Sequence, residues 1–563
     1  TVSGATDNSF IGYNGTTTNI IIDTGGKLTA GASQNNTYHI YTVTLAGGEL
    51  AWPNSSCLAS GPCSQYGTWM LDANITVTEN STISAQGLTL TKTGGNSFDV
   101  ASGKTLTFTG SFFRGSVSGD DTGFVKAGAG TMLLNPTGSY NTYVGTTTIS
   151  AGTLKLGNAT ALGSTTGGTS ITSGATLDLN GVNYTNAEAL TINGTGISSG
   201  GAVMNSSATG ATYAGLVTLG STGASIVGGA GTISLSNVGT ITGATYGLTL
   251  GGAAGGSITS IIGTTTGTLT KADAGTWTLN GVNTYSGATT ISAGILAIGG
   301  SGSLGSGSYG GNISIASTSS GAFQYSSSAA QTLSGIISGA GALVKDTSSL
   351  STLTLTGANN YTGNTTISAG TLTIGSTGSL GTGASYAGGI TNNGTFKYSS
   401  STSQTLSGII SGTGSLTKDT DSSSTLTLSN ASNSYSGMTT ITSGVVSVTA
   451  DANLGTNAGL TFAGGTLTIT GSSAFSSSKN ITMSGAATII NSDSAGATLS
   501  GSITNSTYLL TVSGTNNTTI SGVIGSGSGG LTKTGAGTLT LTKANTYTGA
   551  TTVNGGTLTF GIA

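Results

Sequence analysis

Hydrophobic and polar positions alternate with a period of two along much of the chain. In Thr538-Leu539-Thr540-Leu541-Thr542 the leucines fall on one face of an extended segment and the threonines on the other. Thr557-Leu558-Thr559-Phe560 repeats the pattern, and between the two runs Thr551-Thr552-Val553 is a β-branched stretch that suits a half-buried pleat. Glycine and asparagine stand at each junction, where a backbone turns with positive φ. No helical period of 3.6 is evident. The segment from Leu539 to Phe560, 22 residues, therefore predicts three short strands and three turns.

This segment has relatives upstream. GTLTLTKANTYTGATTVNGGTLTFG resembles GTWTLNGVNTYSGATTISAGILAIG from Gly275, STLTLTGANNYTGNTTISAGTLTIG from Ser351 and STLTLSNASNSYSGMTTITSGVVSVT from Ser424, with a looser copy from Gly130. Spacing is kept better than identity. Tyr143, Tyr285, Tyr361, Tyr435 and Tyr547 are each followed six positions on by Ile149, Ile291, Ile367, Ile441 or Val553. Three further on stand Gly152, Gly294, Gly370, Gly444 and Gly556. QTLSGIISG occurs at Gln331 and again at Gln404, an offset of 73. A single coil cannot bury its leucine row alone, whereas coils stacked at about 4.8 Å pair every strand above and below. The expected fold is all-β, an elongated three-sided, right-handed parallel β-helix. At roughly 22–25 residues per coil it would have about 22–26 coils and a length on the order of 110–125 Å. Cassettes near 130–157, 275–299, 351–375, 424–449 and 537–561 mark a solenoid over 123–563, and Met132 and Trp277 fill the slot of Leu539.

The cassette resembles the passenger-associated repeat of bacterial autotransporter proteins, G-x-G-T-L-T-L-T-G-x-N-T-Y-T-G-x-T-T-I-x-x-G-T-L-x-I. Gly535 to Gly561 matches nearly throughout, and the copies from Gly130 and Ser424 carry insertions before Tyr143 and Tyr435. The resemblance implies a β-solenoid exported across the outer membrane to the surface of a Gram-negative-type bacterium. It leaves activity open, since such passengers include adhesins, scaffolds and some enzymes. The family usually ends in a membrane β-barrel translocator, and the chain ends at Gly561-Ile562-Ala563, so membrane association is expected only through a translocator outside this sequence.

Composition narrows the chemistry. Charged residues make up 5% of the 563 residues, against roughly 25% in ordinary globular proteins. Glycine contributes 99, and His39 and Arg114 are the sole His and Arg. A hydrophobic share of 35% argues against disorder. A net charge of −3 provides no footprint for nucleic acid. No apolar stretch of about 18 residues predicts a transmembrane helix, and TVSGATDNSF lacks the basic and apolar regions of a signal peptide. Residues 1–122 differ from the rest and read as an N-terminal cap or head. They hold Cys57 and Cys63, placed to close a small disulfide loop in an oxidising compartment. A metal reading of that pair would need His39 and a further ligand.

No catalytic, cofactor-binding or metal-binding set is expected. The Gly300-x-Gly302-x-x-Gly305 match lacks a strand–helix context, and the P-loop-like stretch ending Gly103-Lys104-Thr105 has Phe98 where a glycine is required. A polysaccharide-cleaving β-helix would need converging carboxylates. Asp120 and Asp121 are adjacent and face opposite ways on a strand, with Arg114 nearby, while Asp419 and Asp421 read as a solvated turn. Lys126, Lys271, Lys345, Lys418 and Lys533, which precede the cassettes, read as edge or turn residues that keep an almost uncharged rod soluble. The recurrent tyrosines read as corner packing, with sugar stacking as the alternative. The function expected is a non-enzymatic extracellular stalk, adhesin or surface fibre. Its partners would be cell-surface glycans or proteins or, through head-to-tail polymerisation into a filament, the chain itself.

Overall fold

The computed structural model describes residues 19–29, 38–51, 69–85, 87–113, 123–136, 141, 143–221, 223–316, 321–346, 350–419, 423–456 and 459–561. Cys57, Cys63, Arg114, Asp120, Asp121 and Asp421 lie outside the described residues. Parallel strands stack as a β-solenoid of about 22 turns with almost no helix. The chain forms two compact units, residues 1–288 and 289–563.

In the first unit one nine-stranded sheet starts at Asn19–Asp23, passes through Asn96–Val100, Phe124–Ala127 and Thr147–Ile149, and ends at Val217–Leu219. The sheet does not break at residue 122, because Phe98 lies beside Lys126 in register. Across that point Phe98, Phe108, Phe112, Phe124 and Tyr143 form one ring cluster, its pairs separated by 4.2–5.8 Å. In the second unit a nine-stranded sheet runs from Ser385–Tyr386 to Thr551–Val553, and an eleven-stranded sheet from Ser308–Tyr309 to Ile524–Gly525.

The period-two pattern is realised strand by strand. Thr131–Leu134, Thr352–Leu355 and Thr425–Leu428 each alternate half-buried and buried residues. Leu353, Leu372, Phe396 and Leu416 stack in one inward row, all with no exposed surface. Burying such a side chain contributes about 1.5–3 kcal/mol, so truncating one row member opens a cavity that the rigid stack cannot close. Trp277 fits its row because Gly256 lies beside it, where a Cβ would come within 2.9 Å of the indole.

The internal layout of a cassette differs from the sequence expectation. Its two T-L-T-L runs are not two sides of one coil but the same side of successive coils: Leu539 lies beside Leu558, Leu353 beside Leu372 and Met132 beside Leu154. The runs resemble each other because they are neighbours in one inward stack. Between them, among the described residues, each cassette coil has only one further strand, such as Thr365–Ile367 or Thr551–Val553, and the remaining side is an irregular corner.

Candidate functional site: the cassette corner

Three polar side chains and one glycine recur in each cassette, the lysine and glycine at the turn that follows the short strand and the asparagine and tyrosine on the strandless side that precedes it. The first is the lysine. Lys126, Lys271, Lys345 and Lys418 have no exposed surface and Lys533 only 2%. They are therefore not the solvated edge residues expected from their spacing. In Leu531-Thr532-Lys533 the lysine falls on the same face as the buried leucine. Its ammonium has three donors and the turn presents three carbonyls. Lys126 Nζ donates to Ala127 O at 2.7 Å, Gly128 O at 2.8 Å and, from the next coil, Ala151 O at 3.0 Å. Lys533 repeats this on Thr534, Gly535 and Gly555 at 2.5, 2.8 and 3.3 Å. Burial pulls the Lys126 and Lys271 amines down to about 8, with Asp99 and Asp273 opposing the shift. Lys345 and Lys418 also sit over the rings of Tyr325 and Tyr398, at 5.9 and 5.8 Å.

The glycine is fixed by that lysine. Gly152 and Gly556 have φ of +66° and +70°. A Cβ on Gly152 would lie 2.3 Å from Gly130 O, 2.4 Å from Gly128 O and 2.8 Å from Lys126 Nζ, and Gly556 meets the same three groups of its own corner. Gly294, Gly370 and Gly444 share the left-handed conformation.

The tyrosine lies at the other end of the short strand, on the side without a strand. Tyr143, Tyr285, Tyr361 and Tyr435 are at most 1% exposed, which leaves no ring face for a sugar. The Tyr361 and Tyr435 hydroxyls hydrogen-bond those of Thr365 and Thr439, four residues on, at 2.7 and 2.8 Å, and Tyr143 that of Thr147 at 2.5 Å. Tyr547 keeps the bond, to Thr551 at 2.7 Å, on a half-buried ring. Burial pushes the Tyr435 phenol up to about 12.

An asparagine two residues before each tyrosine completes the set. The side has no strand, so backbone groups of the coil below lack a ladder partner. Asn141, Asn283, Asn359, Asn433 and Asn545 supply it: their Oδ1 atoms accept the amides of Phe112, Ile262, Ile337, Ile410 and Ile524 at 2.7–2.9 Å. Three of them also donate from Nδ2 to the coil above, on Ala161, Ser379 and Asn453. Gln331 and Gln404 do comparable work, accepting Leu304 N and Leu380 N at 2.7 Å each. The fixed Asn-x-Tyr spacing was the available signal for these residues.

Other candidates are placed as follows. Asp419 is held by Lys397 at 2.6 Å and by the Ser399 hydroxyl rather than freely solvated. His39 Nδ1 lies 2.6 Å from Asp72 Oδ2, a pair 33 residues apart with no sequence signature. Thr91 Oγ1 donates to the other Asp72 oxygen. Among the described residues no group of three His, Cys, Asp or Glu is arranged to hold a metal ion, and no helix is long and apolar enough to cross a membrane.

Outside the corners the surface is hydroxyl-rich. Along the eleven-stranded sheet Thr332, Thr354, Thr373, Lys397, Thr417, Thr440, Thr461, Thr482 and Thr504 form one outward column in register. Its one cation is the Lys397 already paired with Asp419.

Residues 124–156, 269–298, 350–374, 421–448 and 531–560 match the model of the passenger-associated-transport-repeat. Over 171 residues the chain is 36% identical to the adhesin BmaC autotransporter of Brucella suis biovar 1 (strain 1330), an alignment covering 27% of this chain and 5% of that protein. The chain thus spans a small part of that relative's length. No solved structure matches the chain.

Proposed function

We propose that the chain, an exported protein of the bacterial cell surface whose cassettes match the passenger-associated transport repeat, works there as a non-enzymatic stalk or fibre whose sides make adhesive contacts. One observation carries the proposal: the distinctive chemistry of every cassette, its Lys, Asn and Tyr, is spent on the interior. The outward side is left to rows such as the Thr332–Thr504 column.

Such a surface recognises neutral partners. Hydroxyls donate and accept without charge, methyl groups add apolar contact, and net charge is too small for steering at ordinary ionic strength. Each contact is weak, and a periodic face sums many of them. Neutral glycans or hydroxyl-rich proteins of a neighbouring or host cell fit this chemistry. The relative's description as an adhesin points the same way.

The test is to couple the full chain to beads and count their attachment to host cells and to bacteria at low and high salt. Attachment that persists at high salt, and that falls by degrees as outward threonines of the column are replaced by glutamate, is the expected result. Loss on a single substitution would mean a discrete pocket, and turnover of a polysaccharide by the beads would mean an enzyme.

A further inference from the structure

Glu188 is one of three glutamates in the chain and has no exposed surface. It lies at the corner before the strand Leu190–Ile192, in a segment, Asn180-Gly-Val-Asn-Tyr184, that resembles the cassette's approach to its tyrosine. Its carboxyl joins two coils, and its main-chain carbonyl ties in a third. Thr169 of the coil below donates to Oε1 at 2.5 Å, and Tyr184 of its own corner donates to Oε2 at 2.7 Å. Tyr213 of the coil above donates to the Glu188 carbonyl at 2.9 Å and stacks on Tyr184 at 5.5 Å. Gly215 seals the corner, since a Cβ there would fall 1.7 Å from Glu188 O.

Every partner of this carboxyl is neutral. The titratable groups facing it are Tyr184 on its own corner and Tyr213 above, with Tyr143 below bonded to Thr147, the in-register neighbour of Thr169. Among the described residues no Lys, Arg or His pairs with it. A buried carboxylate without a cation is disfavoured, whereas the protonated acid satisfies both oxygens by donating its own proton to one hydroxyl and accepting from the other.

We propose that Glu188 is a proton-operated latch of the first unit: protonated, it clamps the coil of Thr169 to that of Tyr184; ionised, it releases its proton to solvent and loosens that corner. Burial lifts the acid to about 7, against the opposing hydrogen bonds from Thr169 and Tyr184, so the change falls near neutrality. The folded value stands above the unfolded one of 4.5. The stabilisation is thus complete below the unfolded value and is lost as pH rises through about 7.

Three glutamates make the test direct. In full chain carrying ¹³C-carboxyl glutamate, one of three signals should titrate near neutrality and disappear in Glu188→Gln. Hydrogen exchange of the Thr169 and Leu190 amides, which bond Ala189 O and Leu216 O, corrected for intrinsic rate, should quicken by up to roughly a hundred-fold from acid to mildly alkaline pH. In Glu188→Gln that dependence should vanish. If the glutamine variant fails to fold, Tyr184→Phe removes a donor to the carboxylate and should move the midpoint upward. All three signals titrating as ordinary carboxylates, a pH dependence that survives Glu188→Gln, or an unmoved midpoint in Tyr184→Phe overturns the proposal.

Discussion

Two corners of the first unit bury an ionisable side chain and settle it in opposite ways. At Lys126 the partners are three main-chain carbonyls that the turn supplies in any case. At Glu188 they are side-chain hydroxyls that had to be placed there residue by residue. A parallel solenoid turning sharply at each corner leaves carbonyl groups aimed inward, so an ammonium meets ready acceptors and an anion does not. Lysine accordingly recurs at five cassettes, whereas Glu188 needs a two-tyrosine pocket of its own.

The comparison can be broken hardest at the glycine. Gly152→Ala places a Cβ against two carbonyl oxygens in a left-handed residue, and about 4 kcal/mol of local stability should be lost. Hydrogen exchange across 123–156 would measure it. Lys126→Met keeps the volume but strands three carbonyls, with an expected loss of about 3 kcal/mol by the same readout. If Lys126→Met were neutral, the carbonyl account of the corner would be wrong. Asn359→Ala leaves the Ile337 amide unpaired and takes one of two donors from the Ser379 carbonyl, and should cost about 2 kcal/mol, seen as faster exchange at Ile337.

Titration sharpens the contrast by sign. The Glu188 corner should weaken by about 2 kcal/mol as pH rises from the ordinary carboxylate range through about 7. The Lys126 corner should strengthen between about 8 and 10.5, where the unfolded chain holds the proton that the folded chain has released. Local exchange at the two corners, followed over pH, separates them. Tyr361→Phe is the mildest change, removing one buried hydroxyl from Thr365 for about 1 kcal/mol.

Much of the fold was legible because alternation and spacing are properties of neighbouring residues. Leu539 and Leu558 look alike since one stacks on the other, although the copies were first read as separate sides of a coil. The lysines were misread for a physical reason. A lone charge every few coils suggests solvent, and only the alternation Leu-x-Lys, which sets Lys533 on the face of Leu531, marks it as inward. Asn359 was visible as Asn-x-Tyr once the missing third strand is known, but nothing local shows that a strand is missing. The His39–Asp72 pair arises from stacking alone, and Glu188 from a cassette-like segment that departs from the pattern where it matters.

The inward lysines bear on survival outside the cell. Of 13 Lys and Arg residues, Lys126, Lys271, Lys345, Lys418, Lys479 and Lys533 are at most 8% exposed. A trypsin-like protease must draw several residues of extended chain into its cleft and read a basic side chain. Here the side chain is tied to the turn, and the main chain on either side is held in a parallel sheet. Nearly half of the possible cleavage points are thereby withdrawn from digestion, in a protein whose working place is exposed to the enzymes of its surroundings.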